Sequence, residues 1–228
     1  MLECKMQRYT PALIVFDLDG TLADTIKDIA DSVNRVIALY GFGPHDVDAY
    51  KRMVGDGFLS LIEKAIPDDA VRNIELVQEI LARAVQEYAA HSLDATRPFD
   101  GAKETLKLLS DRRIQLAVLS NKPQDLSASI VGALFRDIPF IAVWGNLPDR
   151  PRKPNPAAVL QICELANIAP QNCAFVGDSS IDMKTAKAAG MTAVGALYGY
   201  RSREELLDAG ADFLIASPQD LIALFGAE

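Results

Sequence analysis

Two hydrophobic rhythms alternate along the chain. Short apolar runs free of charge occur at residues 13–16, 114–119, 138–143, 174–176, 192–197 and 213–215. Their length and continuity read as strands buried on both faces. Between them, apolar residues recur every three or four positions, as on one face of a helix. Ile29, Val33, Val36, Ile37 and Tyr40 form such a stripe over 26–40, and Gly41 supplies a stop. Similar segments cover 47–54 and 58–66, and a longer helix is expected from about Asp68 to His91. Its stripe is Val71, Ile74, Val77, Leu81, Val85 and Tyr88, with Asp68 and Asp69 suited to its positive N-terminal end. Further helices are expected over 102–111, 124–135, 156–167, 181–189 and 218–225.

From Gly101 onward strands and helices alternate regularly, which predicts an α/β fold: a Rossmann-like parallel sheet covered by helices on both faces. The first half departs from this rhythm. The gap between the strand at 13–16 and the next at 114–119 is several times what one crossover helix requires. An inserted all-helical cap domain over 24–97 accounts for it, leaving 1–23 and 98–228 as the α/β core domain, with Pro98 and Gly101 marking the exit.

In open parallel sheets ligands gather outside the carboxyl ends of the strands. The first strand ends in Asp17-Leu18-Asp19-Gly20-Thr21, the second in Ser120-Asn121 and a later one in Gly177-Asp178, with Asp182 one helical turn beyond. Asp17 and Asp19 project to the same side if the extended conformation persists past Phe16. Buried acids must be neutralised, paired or metal-bound. Asp17 and Asp178, with carbonyls and water, would make an oxygen-only site for a hard cation such as Mg²⁺. Lys153, stiffened by Pro154 and Pro156, is the candidate cation for holding an anion.

Asp17-x-Asp19-Gly20-Thr21, Ser120-Asn121, Lys153-Pro154 and Gly177-Asp178-Ser179-x-x-Asp182 resemble, in order and spacing, the four motifs of the haloacid-dehalogenase-like superfamily. The resemblance spans nearly the whole chain. It implies Asp17 as nucleophile, Asp19 as general acid and base, and Lys153 as a third catalytic group. It implies phosphoryl binding by Ser120 and Lys153, with their motif neighbours Thr21 and Asn121 as substrate contacts. It also implies Mg²⁺ held by Asp17, the Asp19 carbonyl and Asp178, with Asp182 nearby. An acid at position 19 points to phosphate-ester chemistry, because the dehalogenases of the superfamily lack one there.

Within the superfamily, Asp24-Thr25-Ile26-Lys27-Asp28-Ile29 with Asn34, the stretch Val54-Gly55-Asp56-Gly57, and the tail 211–218 look most like phosphoglycolate phosphatases. Ile29 stands where β-phosphoglucomutases carry a histidine. The implied partner is a small phosphorylated metabolite. Pyrophosphate, nucleotides and sugar phosphates stay open as substrates, and a non-catalytic binding protein on the same fold is the reading from another class. Gly55 and Gly57 fit a plain turn equally well. Lys51, Arg52 and Lys64 are candidate anion partners that read rather as surface cations, His45 and His91 read as surface residues, and Trp144 as packing.

Composition narrows the partners. With 23 Lys and Arg against 31 Asp and Glu, a net charge of -8 argues against a nucleic-acid surface. No apolar run approaches a membrane span, and the start, with Glu3, Lys5 and Arg8, shows no secretory signal. Cys4, Cys163 and Cys173 have neither metal-ligand nor disulfide spacing, so a reducing cytoplasm is expected. Oligomeric state is not written in the chain.

Overall fold

The computed structural model describes residues 10–225. The N-terminal stretch and Cys4 lie outside the described residues. The strands are β1 (Leu13–Phe16), β2 (Ala23–Asp24), β3 (Arg97–Pro98), β4 (Gln115–Pro123), β5 (Phe140–Asn146), β6 (Cys173–Gly177), β7 (Thr192–Ala196) and β8 (Phe213–Ile215). The helices are α1 (Ile26–Ala38), α2 (Val47–Met53), α3 (Phe58–Ala65), α4 (Asp68–Val71), α5 (Ile74–His91), α6 (Ala102–Asp111), α7 (Gln124–Leu134), α8 (Ala157–Ala166), α9 (Ser180–Ala189), α10 (Arg203–Asp208) and α11 (Asp220–Phe225).

Six strands form one sheet in the order β5-β4-β1-β6-β7-β8, and every neighbouring pair is parallel. Alternate residues feed two apolar layers. Ile14, Phe16, Val118 and Val176 pack on one face, and Leu13, Val15, Ala117 and Phe175 on the other. This two-sided burial explains why the strands read as continuous apolar runs. Phe16 pairs with Val118 on one side and Val176 on the other, so the residues just beyond emerge side by side. The sheet's strand order reverses at β1, where such folds place their crevice.

Helices α1–α5 fill the long gap. The chain leaves and returns through β2 and β3, which pair antiparallel, Ala23 with Pro98 and Asp24 with Arg97. Asp28, buried in the first turn of α1, accepts hydrogen bonds from Ala95 N–H, Thr96 N–H and the Thr96 hydroxyl at 2.7–3.0 Å. Asn34 acts similarly, accepting from His45 N–H and the Tyr50 hydroxyl.

Some boundaries differ from expectation. The helix expected over 68–91 is broken at Asn73, whose side chain instead caps α5 by accepting from Leu76 N–H at 3.1 Å. The buried stripe of α5 is therefore Val77, Ile80, Ala84 and Tyr88, while Ile74 is left exposed. Strand β4 runs on through Ser120, Asn121 and Lys122 rather than stopping at Leu119. Helix α10, capped by Ser202, and the β2–β3 ribbon are too short for periodicity to mark. Cys163 and Cys173 are buried free thiols with sulfurs 3.7 Å apart, filling the layer between α8 and β6. Among the described residues, no helix is long and apolar enough to cross a membrane.

Candidate active site

The extended conformation does not persist past Phe16. The chain folds back in a tight turn in which Gly20 N–H donates to the Ala23 carbonyl and Ala23 N–H to that of Leu18. Asp17 and Asp19 line one pocket but face different partners. Asp17 Oδ1 lies 2.9 Å from Lys153 Nζ and accepts from Leu18 N–H at 2.7 Å. Lys153 Nζ also lies 2.6 Å from Asp182 Oδ1, and both of these side chains are almost fully buried. Burial lifts the Asp17 carboxyl to about 7, with Lys153 pulling down and Asp182 and Asp19 pushing up. Burial works against the Lys153 charge, but Asp17 and Asp182 outweigh it and hold the ammonium above its usual range.

Asp178 follows β6. Its Oδ2 accepts from Tyr200 N–H at 2.7 Å and its Oδ1 from the Thr21 hydroxyl at 3.4 Å. Thr21 thus meets an acid of the site, and it is fully buried. Burial, together with Asp182 and Asp17, pushes the Asp178 carboxyl well above the ordinary range. Gly20 has φ +78°, and a Cβ there would sit 2.3 Å from Asp178 Oδ2, so the position needs glycine twice over. Asp182 Oδ2 accepts from Ser179 N–H and its hydroxyl, closing a capping box at the start of α9.

Asp19 is held by Lys122, which sequence reasoning did not single out, and by Thr25. Lys122 Nζ lies 2.8 Å from each of its carboxylate oxygens, and the Thr25 hydroxyl donates to Oδ1 at 2.7 Å. Ser120 lines the pocket beside Asp17, its Oγ accepting from Lys122 N–H at 3.3 Å. The Asn121 side chain is committed to backbone: it receives Lys153 N–H and donates to the carbonyls of Lys153 and Gly55. Asn121 therefore positions the Lys153 loop.

The pocket encloses about 520 Å³, part of it open to solvent. Its far wall comes from the helical insertion: Ile29, Val54, Phe58 and Leu61 are apolar, and Gly55 and Gly57 form the turn between α2 and α3. That turn is more than a connection, since core residues grip it. The Arg201 guanidinium donates to the carbonyls of Lys51, Arg52 and Val54, and Arg152 to that of Asp56. Tyr200 and Arg201 follow β7, a strand whose carboxyl end carries no acidic motif to draw notice.

Residues expected at the surface fall mostly there. Lys51 and Lys64 pair with Asp48 and Asp56, Arg52 is exposed, and His91 lies near Glu87 and Asp94. His45 is half-buried instead, its Nε2 2.9 Å from the Ala65 carbonyl, so it braces the insertion. Trp144 packs on the sheet under Arg150.

The acid set fits a divalent cation. Oxygens of Asp17, Asp178 and Asp182 all lie within 4.8 Å of one another, and all three residues are buried. Lys153 pairs with Asp17 and Asp182, and burial disfavours ionising Asp17 and Asp178 beside them, a cost that a bound cation would offset. Oxygen-only donors suit a hard ion such as Mg²⁺.

Comparison with known proteins agrees with this arrangement. Residues 14–196 match the family described as haloacid dehalogenase-like hydrolase. The chain is 36% identical to a phosphoglycolate phosphatase of Chromobacterium violaceum, covering 92% of this chain and 95% of that protein. It is also 36% identical to one from Pseudomonas putida, over 83% of this chain and 71% of that protein. Among solved structures, a predicted phosphoglycolate phosphatase from Haemophilus somnus superposes with a TM-score of 0.87 at 27% identity, covering 96% and 99% of the two chains. A parallel sheet with this strand order, a buried acid cluster at its switch point and relatives matching along most of their length make one assignment: the chain belongs to the haloacid dehalogenase-like hydrolases.

Proposed function

We propose that this chain is a Mg²⁺-dependent phosphatase of the cytoplasm that hydrolyses 2-phosphoglycolate through an aspartyl-phosphate at Asp17. The observation that carries the reading is the meeting of Asp17, Lys153, Asp178 and Asp182 at the carboxyl ends of β1 and β6. The curated relatives named phosphoglycolate phosphatase supply the substrate. The small, largely apolar wall of Ile29, Val54, Phe58 and Leu61 supports a short leaving group over a sugar, whose hydroxyls would find few partners there.

In this reading the segment 24–97 is a cap over a core formed by 1–23 and 98–228. An oxygen of Asp17 attacks phosphorus while the bond to the ester oxygen breaks, and Asp19 protonates the departing alcohol. Asp19 then takes a proton from water, which attacks phosphorus and releases phosphate from Asp17. The Asp19 carboxylate is turned to Lys122 and Thr25 and is not one of the clustered acids, which leaves it off the cation site. Lys153 holds the phosphoryl oxygens and offsets repulsion between two anions. Ser120 contributes a further contact, and Thr21 and Asn121 act through Asp178 and Lys153. Mg²⁺ would be held by Asp17, Asp178 and the Asp19 carbonyl, with Asp182 beside them, and would neutralise charge on the transferred group.

The experiment compares kcat/KM for 2-phosphoglycolate, sugar phosphates, nucleotides and pyrophosphate, each with Mg²⁺ and with EDTA. A clear preference for 2-phosphoglycolate that EDTA abolishes is expected. A flat profile removes the substrate assignment.

A further inference from the structure

Lys122 lines the pocket, yet the reaction proposed above gives it no contact with substrate. Its side chain is 1% exposed, a costly place for an ammonium. Holding Asp19 does not by itself require a cation, because the Thr25 hydroxyl already donates to that carboxylate. An ammonium carries three protons, and the two Asp19 oxygens account for two. Among the described residues, Lys122 Nζ otherwise faces aromatic rings of the insertion, 4.6 Å from the Tyr88 ring centre and 5.8 Å from that of Phe58.

The neighbouring cations are committed elsewhere. Lys153 bridges Asp17 and Asp182, Arg201 is spent on three backbone carbonyls, and Arg152 donates to the Asp56 carbonyl. Among the described residues lining the pocket, Lys122 is then the ammonium with a proton to spare, beyond its two bonds to Asp19, for an anionic group on the substrate. The distance is also restrictive. If Asp19 donates to the leaving oxygen, that oxygen lies within two hydrogen-bond lengths of Lys122, about 6 Å at most. A carboxylate one methylene from the ester oxygen spans that interval, and the apolar wall opposes anything much larger.

We infer that Lys122 is a specificity residue, which binds a carboxylate on the leaving group and selects short carboxylated phosphate esters over neutral ones. This rests on the phosphatase reading of the same site.

Binding of two phosphonates, measured by titration calorimetry with Mg²⁺ present, separates the two claims. One, 3-phosphonopropionate, carries the carboxylate; propylphosphonate does not. The wild-type protein is expected to bind the first about 10- to 100-fold more tightly, the range of a charge-assisted hydrogen bond. Lys122→Met is expected to bind both alike, and Lys122→Gln, which keeps a donor toward Asp19, serves if the methionine variant does not fold. Equal binding by the wild-type protein, with p-nitrophenyl phosphate still hydrolysed, overturns this inference alone. A preference that survives in the folded variant does the same. Binding of neither phosphonate, with no hydrolysis, overturns it together with the phosphatase reading.

Discussion

Lys153 Nζ stands 2.9 Å from Asp17 Oδ1, and the partners come from a proline-stiffened loop and from the residue just after the central strand. Lys153 also meets Asp182 at 2.6 Å in a cluster that includes Asp178, so its loss strands buried acids. Lys153→Met is expected to lower kcat by roughly 10²–10³-fold or more, the scale of removing one donor to a transition-state oxyanion. It should also cost about 3–5 kcal/mol of stability in EDTA, as when a buried pair loses one member. Urea unfolding with and without Mg²⁺ checks the second part, and Mg²⁺ should restore stability but not turnover.

Without metal, stability should fall as pH rises from about 4 to about 7. Over that window the folded Asp17, lifted from 3.8 to about 7, keeps a proton that the unfolded chain has already lost. The native state then binds more protons than the unfolded one, so raising pH favours unfolding. Asp178 shifts in the same direction and adds to the slope. Lys153 stays charged in both states across this range and contributes none. Thermal melts in EDTA at pH 5 and pH 8 test this, with the lower Tm expected at pH 8 and a smaller difference in Mg²⁺.

Gly20→Ala should act through Asp178. The added Cβ would meet Oδ2 at 2.3 Å in a backbone conformation, φ +78°, that alanine adopts poorly. Displacing that carboxylate should raise the Mg²⁺ concentration needed for half-maximal activity by roughly 10-fold or more, the scale seen when metal-site supports are removed. A Mg²⁺ titration of turnover measures it.

Asp28 lies outside the pocket yet ties the start of α1 to residues 95–96. Asp28→Ala leaves two backbone donors and a hydroxyl without their acceptor. A loss of about 2–5 kcal/mol is expected from the unsatisfied groups. Equilibrium unfolding reads this directly, and the folded fraction should keep its preference among phosphate esters.

Strands and acids were legible in the chain because each has a local signature. Leu13–Phe16 is apolar without interruption, and Asp17 and Asp178 directly follow the parallel strands β1 and β6. Lys153 stood out through its prolines. Lys122 did not, since a lysine after Ser120-Asn121 reads as the polar end of a strand, and only tertiary structure brings it to Asp19. Arg201 was hidden for a similar reason: its partners are backbone carbonyls some 150 positions away, which no side-chain pattern records. Asn73 went unmarked because the apolar stripe on either side of it suggested a continuous helix. Asp28 and Asn34, part of the expected resemblance to phosphoglycolate phosphatases, turn out to brace the backbone of the helices between β2 and β3.

The central claim is that Asp17 takes the phosphoryl group. Turnover of p-nitrophenyl phosphate by Asp17→Asn, in saturating Mg²⁺ and with folding verified by circular dichroism, tests it most directly. Loss of activity by roughly 10³-fold or more is predicted, because the amide keeps the shape but not the nucleophile. Turnover equal to that of the unaltered protein would contradict the account.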